Sequence, residues 1–182
     1  KMSQNTFLLA PVSAEELHNN KSSRNFWIYI EGYGAWSVTG ASGKQKYEVF
    51  DKNKENTKLE AGIMWHKITR ESQNIGIKSE VTSFVPSNNK KVELMKVTIT
   101  NISNEGKKIT PTAAIPFYAR SADNVRDHKH VTSLLHRIET TDYGVIVNPT
   151  LTFDERGHKK NTIVYGIVSA EDDGKNQLDF VL

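Results

Sequence analysis

Two stretches hold the side chains best able to touch a ligand. The first, RSADNVRDHKHVTSLLHR (120–137), gathers Arg120, Arg126 and Arg137 with Asp123, Asp127, His128, His130 and His136. On a strand, His128 and His130 project from one face, the beginning of a metal site that Asp127 or His136 would have to complete by folding back. No tight zinc spacing accompanies them, and a solvated, internally hydrogen-bonded polar loop accounts for the same residues. Arg126 and Asp127 suit another task better: a planar bidentate donor beside a strong acceptor reads hydroxyls and anions. Arg126, Asp127 and His128 are therefore nominated as sugar or phosphate contacts, with no metal.

The second stretch is NFWIYIEGYGAWSVTG (25–40). As a strand, FWIYI places Phe26, Ile28 and Ile30 on one face and Trp27 and Tyr29 on the other, and bulk on both faces implies cover on both sides. Tyr33 and Trp36 lie beyond Gly32 and Gly34, where the chain can bend and present a ring at a rim. Aromatic faces pack on the C–H surfaces of sugars while the Tyr hydroxyl and indole N–H hold their edges. For Trp36 a plain core position is the weightier alternative.

Other chemistries find less support. Glycoside cleavage needs two carboxyls across a cleft, or one with an external nucleophile; Glu31, Glu71, Glu80 and Asp127 are available, but no spacing forces two together. A mutarotase-type acid/base pair could be written with His66 or His128 and Glu31, without a reason to prefer either. There is no G-x-S-x-G elbow, and GASGK (40–44) lacks the length, ending and following helix of a phosphate loop.

These residues must be positioned by strands. From residue 25 onward the chain reads as short apolar or alternating runs punctuated by turns: FWIYI (26–30), WSVT (36–39), KYEVF (46–50), LEAGIMWHKITRE (59–71), IKSEVTSFV (77–85), VELMKVTIT (92–100), KITPTAAIPFYA (108–119), YGVIVN (143–148), LTF (151–153) and NTIVYGIVSA (161–170). Ile77, Val81 and Val85 oppose Lys78, Glu80 and Thr82, the alternation of a half-buried antiparallel strand. Pro111 and Pro116 mark 108–119 as an edge or bulged strand. Helical character is confined to SAEELHNN (13–20), with Ser13 and Glu16 as a capping pair, and to part of 131–138. The expected fold is all-β, an antiparallel β-sandwich over 24–182 preceded by an extension (1–23) with a short helix; a closed barrel is the nearest rival.

Composition narrows the class. With 182 residues, 24 basic against 21 acidic side chains spread along the chain, and no cysteine, the sequence suits one domain without disulfides, thiolate chemistry or a nucleic-acid patch. The longest apolar runs are too short for a membrane span, and no signal peptide is evident, so a cytoplasmic setting is expected.

Taken together, GYGAWSVTG (32–40), MWHKITRES…GIKSEVTSFVPSNNKKVELMKVTITNIS (64–103) and PFYARSADNVRDHKHVTSLLHR (116–137) resemble the N-terminal β-sandwich of the cellobiose/chitobiose phosphorylase family. The most specific phrase is FVP followed by VELMKVTITNIS. The resemblance covers residues 24 to 170 and implies a galactose-mutarotase-like supersandwich, here a partial domain. It further implies an inverting glycoside phosphorylase as parent, a glycosyltransferase that splits a β-glucosidic bond with inorganic phosphate and needs no other cofactor. In that family the catalytic acid lies in an (α/α)6 barrel for which this chain has no room, so no catalytic residue is carried over and the chain alone is expected to be inactive. What the resemblance implies for this domain is support: packing on the barrel, a part in a homodimer, and a loop lent to the cleft for a β-linked oligosaccharide or glucan, with Tyr33, Trp36, Arg126, Asp127 and His128 as its candidates. The run ARSADNVRDHKH, without an early acidic residue after the aromatic strand near 116–118, is more similar to larger members acting on glucans, β-1,2-linked ones included. A free-standing carbohydrate-binding module and a mutarotase-like epimerase are the alternatives.

Overall fold

The computed structural model describes residues 6–7, 24–52, 54–88, 90–116, 120–121, 136–149, 151–154, 157–160 and 164–169, with the backbone alone at 6–7, 120–121, 151–154 and 157–160. In chain order the elements are β1 (Thr6–Phe7), β2 (Asn25–Ile30), β3 (Gly34–Ser37), α1 (Gly43–Tyr47), β4 (Asn56–Gly62), β5 (Trp65–Ser72), β6 (Ile77–Phe84) and β7 (Leu94–Asn101). They continue with β8 (Ile109–Ala114), β9 (Arg120–Ser121), β10 (His136–Thr141), β11 (Gly144–Pro149), β12 (Leu151–Asp154), β13 (Gly157–Lys160) and β14 (Tyr165–Val168). All pairings among them are antiparallel. Two compact units divide the chain, one of Arg24–Ala114 and one of Lys1–Ser23 with Ile115–Leu182.

The Arg24–Ala114 unit is a sandwich of a three-stranded sheet, β3-β2-β8, and a four-stranded meander, β4-β5-β6-β7. Period-two alternation builds the layer between them. Ile28, Ile30, Trp36 and Val38 come from the smaller sheet and its exit, and Ile75, Ile77 and Val81 from the larger, with Phe26, Met95, Val97, Ile99 and Ile109 packed around them. Ile28 is fully buried, and cutting it to Ala is expected to cost about 2–4 kcal/mol. On β6 every second residue, Ile77, Ser79, Val81 and Ser83, faces this layer, as the alternation predicts.

The other unit contains the sheet β10-β11-β14 and the pairs β1-β9 and β12-β13. Its described core is small: Val145 and Val147 with Tyr165 against them. At Gly144 the neighbouring strand passes so close that a Cβ would lie 1.9 Å from the Ile167 carbonyl oxygen, so only glycine fits.

Three sequence expectations are corrected and a fourth, the helix in part of 131–138, is narrowed. KYEVF (46–50) is not a strand: Ser42 Oγ accepts the Gln45 N–H at 3.1 Å and caps α1, and a 3-10 turn follows over Glu48–Phe50, with Phe50 left 94% exposed. The run 59–71 is a hairpin, since Ile63 and Met64 form a two-residue turn closed by the Gly62–Trp65 pair, with Met64 at φ 66°. Residues 136–138 belong to β10, not to a helix; 131–135 and the 13–20 helix lie outside the described residues. Finally, β2 is buried on one face only. Tyr29 is 57% exposed because its cross-strand neighbours, Ala35 and Thr110, are too small to cover it. No helix among the described residues is long and apolar enough to cross a membrane.

Candidate functional site

Tyr33 and Trp36, three positions apart, have opposite surroundings. Trp36 pairs with Ile28 across the β2–β3 ladder and is 3% exposed, so its ring belongs to the core, the weightier of the two sequence readings. Its indole N–H donates to Glu55 Oε1 at 2.5 Å. The other carboxylate oxygen accepts Gln45 Nε2 at 3.0 Å, and the same amide nitrogen reaches the Ser37 carbonyl at 2.9 Å. Arg70 closes the network: Nε lies 3.5 Å from Glu55 Oε2 as an ion pair without hydrogen-bond geometry, and Nη1 donates to Thr57 Oγ1 at 3.0 Å. Burial pulls the Arg70 guanidinium below its ordinary pKa, and Glu55 offsets part of that. Gly40, at φ +78°, passes directly over this guanidinium; a Cβ there would meet Arg70 Cζ at 2.6 Å.

Tyr33 instead stands at the other end of β2, in an open depression of about 430 Å3. Three turns form it. The β2–β3 turn contributes Glu31 and Tyr33, the β5–β6 turn Asn74 and Ile75, and the β7–β8 loop Glu105 and Lys107 with Lys108. Backbone bonds hold the turns together: Glu31 N–H to the Lys108 carbonyl at 3.1 Å, Tyr33 N–H to Ile30 at 3.0 Å, and Ile102 N–H to Gly76 at 2.9 Å. Asn101 braces the third turn, accepting Ser103 N–H at 3.0 Å and donating to the Glu105 carbonyl at 2.7 Å. Tyr33 is 47% exposed, and Lys44 Nζ sits 6.0 Å from its ring centroid, the outer limit of a cation–π contact.

The rim thus offers an aromatic face, acceptors on Glu31 and Glu105, and donors on Asn74, Lys107 and Lys108. That set matches a polyhydroxylated ligand. Glu31 and Lys108, 3.5 Å apart, are both largely exposed, so water competes for each and the pair contributes little on its own. Carboxylates this wet suit hydrogen bonding better than the acid role in bond cleavage, which depends on desolvation to hold the proton.

Of the nominated contacts, Tyr33 reaches this rim and Trp36 does not; Arg126, Asp127 and His128 lie outside the described residues. His66 is exposed at the far end of β5 from Asn74, on the order of 20 Å along an extended strand, so it does not meet Glu31. Glu71 and Glu80 lie on the charged outer face of the meander, beside Gln73 and Lys67 respectively. Among the described residues no group of three His, Cys, Asp or Glu side chains converges to hold a metal ion. Asn74, Glu105, Lys107 and Lys108 escaped sequence reading because only the β5–β6–β7 register of one sheet and the β2–β8 register of the other bring their turns beside Tyr33.

The family model described as "Glycosyl hydrolase 94, supersandwich domain" matches residues 9–176, running through both compact units. A search of the curated proteins found no match.

Proposed function

The chain belongs to the glycosyl hydrolase 94 supersandwich family, and from that premise we propose that it is the non-catalytic, carbohydrate-associated sandwich of an inverting glycoside phosphorylase. In this reading the whole protein splits a β-glucosidic bond, with inorganic phosphate attacking the anomeric carbon to give a sugar 1-phosphate. An aspartic acid on a companion (α/α)6 barrel protonates the leaving oxygen. The sandwich packs on that barrel, takes part in a homodimer and lends a rim to the sugar cleft, in the cytoplasm and without a further cofactor. Tyr33 supplies a stacking face there, and Arg126, Asp127 and His128 are further candidate sugar contacts on chemical grounds.

The observation that carries this reading is the family match over nearly the whole chain. The exposed rim around Tyr33, built for hydroxyl recognition rather than proton transfer, agrees with a supporting role. The test is phosphate-dependent release of sugar 1-phosphate from a panel of β-glucans, β-1,2-linked ones included. The full-length gene product should release it and the 182-residue chain should not. Release, or epimerisation of glucose, by the chain alone would overturn the proposal. The carbohydrate-binding module alternative draws on the same rim. It would be favoured if the chain bound glucan and the full-length product showed no phosphorolysis.

A further inference from the structure

The meander ends on an edge strand whose side chains complement their own reverse. Leu59 pairs with Ile68, Ile68 with Val81 and Val81 with Val97, so one aliphatic row crosses the inner face of all four strands. Val81 is 2% exposed at the row's middle, yet Leu59 at its end is 69% exposed. Among the described residues, β4 has a partner on one edge only. Its two-residue turn makes Gly62 and Trp65 the closing hydrogen-bonded pair, so Asn56, Lys58, Glu60 and Gly62 bond inward to β5. Thr57, Leu59 and Ala61 then aim their N–H and C=O groups outward, the pattern that templates another strand.

Resting on the reading that the sandwich takes part in a homodimer, we propose that its seam is the antiparallel pairing of β4 with β4 about a two-fold axis through Leu59, which joins the two meanders into one continuous sheet. Leu59 lies at the centre of Asn56–Gly62, so this register overlaps the whole strand. Leu59 meets its counterpart in a hydrogen-bonded pair, and the aliphatic row continues unbroken from one copy into the other. Lys58 falls opposite Glu60 of the second copy, and Glu60 opposite Lys58, in non-hydrogen-bonded pairs where side chains approach most closely. Charge also selects the register. Sliding by two residues one way sets Lys58 against Lys58, and the other way Glu60 against Glu60, while a one-residue slip turns Leu59 to the wrong face. Within one copy Lys58 Nζ and Glu60 Oε1 are 2.9 Å apart, so both charges already sit beside the edge where the partner would meet them. The same patch on both copies makes the contact isologous and closed, hence a dimer and not a fibre.

Sedimentation of the chain over a dilution series tests this. A concentration-dependent dimer is expected, weakened about tenfold by Lys58→Glu and by Glu60→Lys alone, because each turns both cross-strand pairs repulsive. Mixing those two variants should restore association as a heterodimer, since glutamates then face lysines at every pair; circular dichroism of each variant establishes that it is folded. Leu59→Asp should abolish the dimer. A chain that stays monomeric, a dimer indifferent to both reversals, or a mixture that fails to pair would overturn the proposal.

Discussion

Trp36 and Tyr33 belong to the same hairpin, and the chain around each uses the same materials: an aromatic ring, glutamate, a cation, a glycine at positive φ and a side-chain amide. Around Trp36 these parts are buried and engage one another, with Glu55 accepting from Trp36 and Gln45 and ion-paired with Arg70. Around Tyr33 the corresponding groups, Glu31, Lys108 and Asn74, line an open depression. Low dielectric makes the first set mutually dependent, so that removing one member strands the others. In the second set water substitutes for any missing partner, which leaves the groups available to a ligand. Burial, more than residue type, separates the structural cluster from the candidate binding rim.

The sharpest way to break this contrast is Glu55→Ala. It leaves Arg70 buried without its counter-charge and the Trp36 N–H without an acceptor, and should lower stability by about 3 kcal/mol, read as a fall in the urea midpoint. Glu31→Ala at the rim should leave that midpoint within about 0.5 kcal/mol. A pair of glycines sharpens the comparison at constant backbone geometry. Gly32 and Gly40 have φ of 81° and 78°, but a Cβ at Gly32 meets nothing within 4 Å while one at Gly40 strikes Arg70. Gly32→Ala should cost about 1 kcal/mol from the left-handed conformation alone, and Gly40→Ala about 2–3 kcal/mol, the excess being the collision. Equal costs would show that Arg70 moves aside freely.

Smaller than Glu55→Ala is Trp36→Phe, which keeps a ring in the core but removes the indole donor and part of the buried bulk, for about 2 kcal/mol. Tyr33→Ala should be nearly silent in stability but weaken glucan-oligosaccharide binding by the chain, measured by calorimetric titration. The least effect belongs to a pair in neither region. Lys67 donates to Glu80 and lowers its carboxyl pKa, with desolvation opposing the shift and Lys78 adding to the pull. A lowered folded-state value means the contribution is present above the unfolded-state pKa and disappears as pH falls through the folded one. Glu80→Gln should therefore remove only a shallow part of the acid-side loss in a stability-versus-pH curve.

Much of the fold was legible because alternation reports a buried face directly. The pattern of IKSEVTSFV survives intact in β6, and Pro111 does lie on the edge strand β8. KYEVF misled because a strand-like composition says nothing about whether a neighbouring strand exists; Ser42 and Gln45 held the better signal, a cap followed by a residue that bonds back to the sheet. The site was half legible. Tyr33 could be placed at a rim from its flanking glycines, but the exposure of Tyr29 and the burial of Trp36 depend on cross-strand neighbours. Asn74, Glu105 and the two lysines come from turns far apart in the chain, and their meeting is a property of register.

The return of β8 to β2 has a kinetic consequence. Each strand of the meander pairs with its sequence neighbour, whereas Ile30 pairs with Ile109, so the smaller sheet encloses the entire meander as one loop. Local hairpins close quickly, but joining the ends of a long loop loses chain entropy before any contact compensates. The meander is therefore expected to organise first and the β2–β8 seam last, with Val81 substitutions slowing folding and Thr112 substitutions chiefly speeding unfolding. Stopped-flow refolding of such variants would reveal the reverse order, were it the true one, as slowed folding confined to the seam.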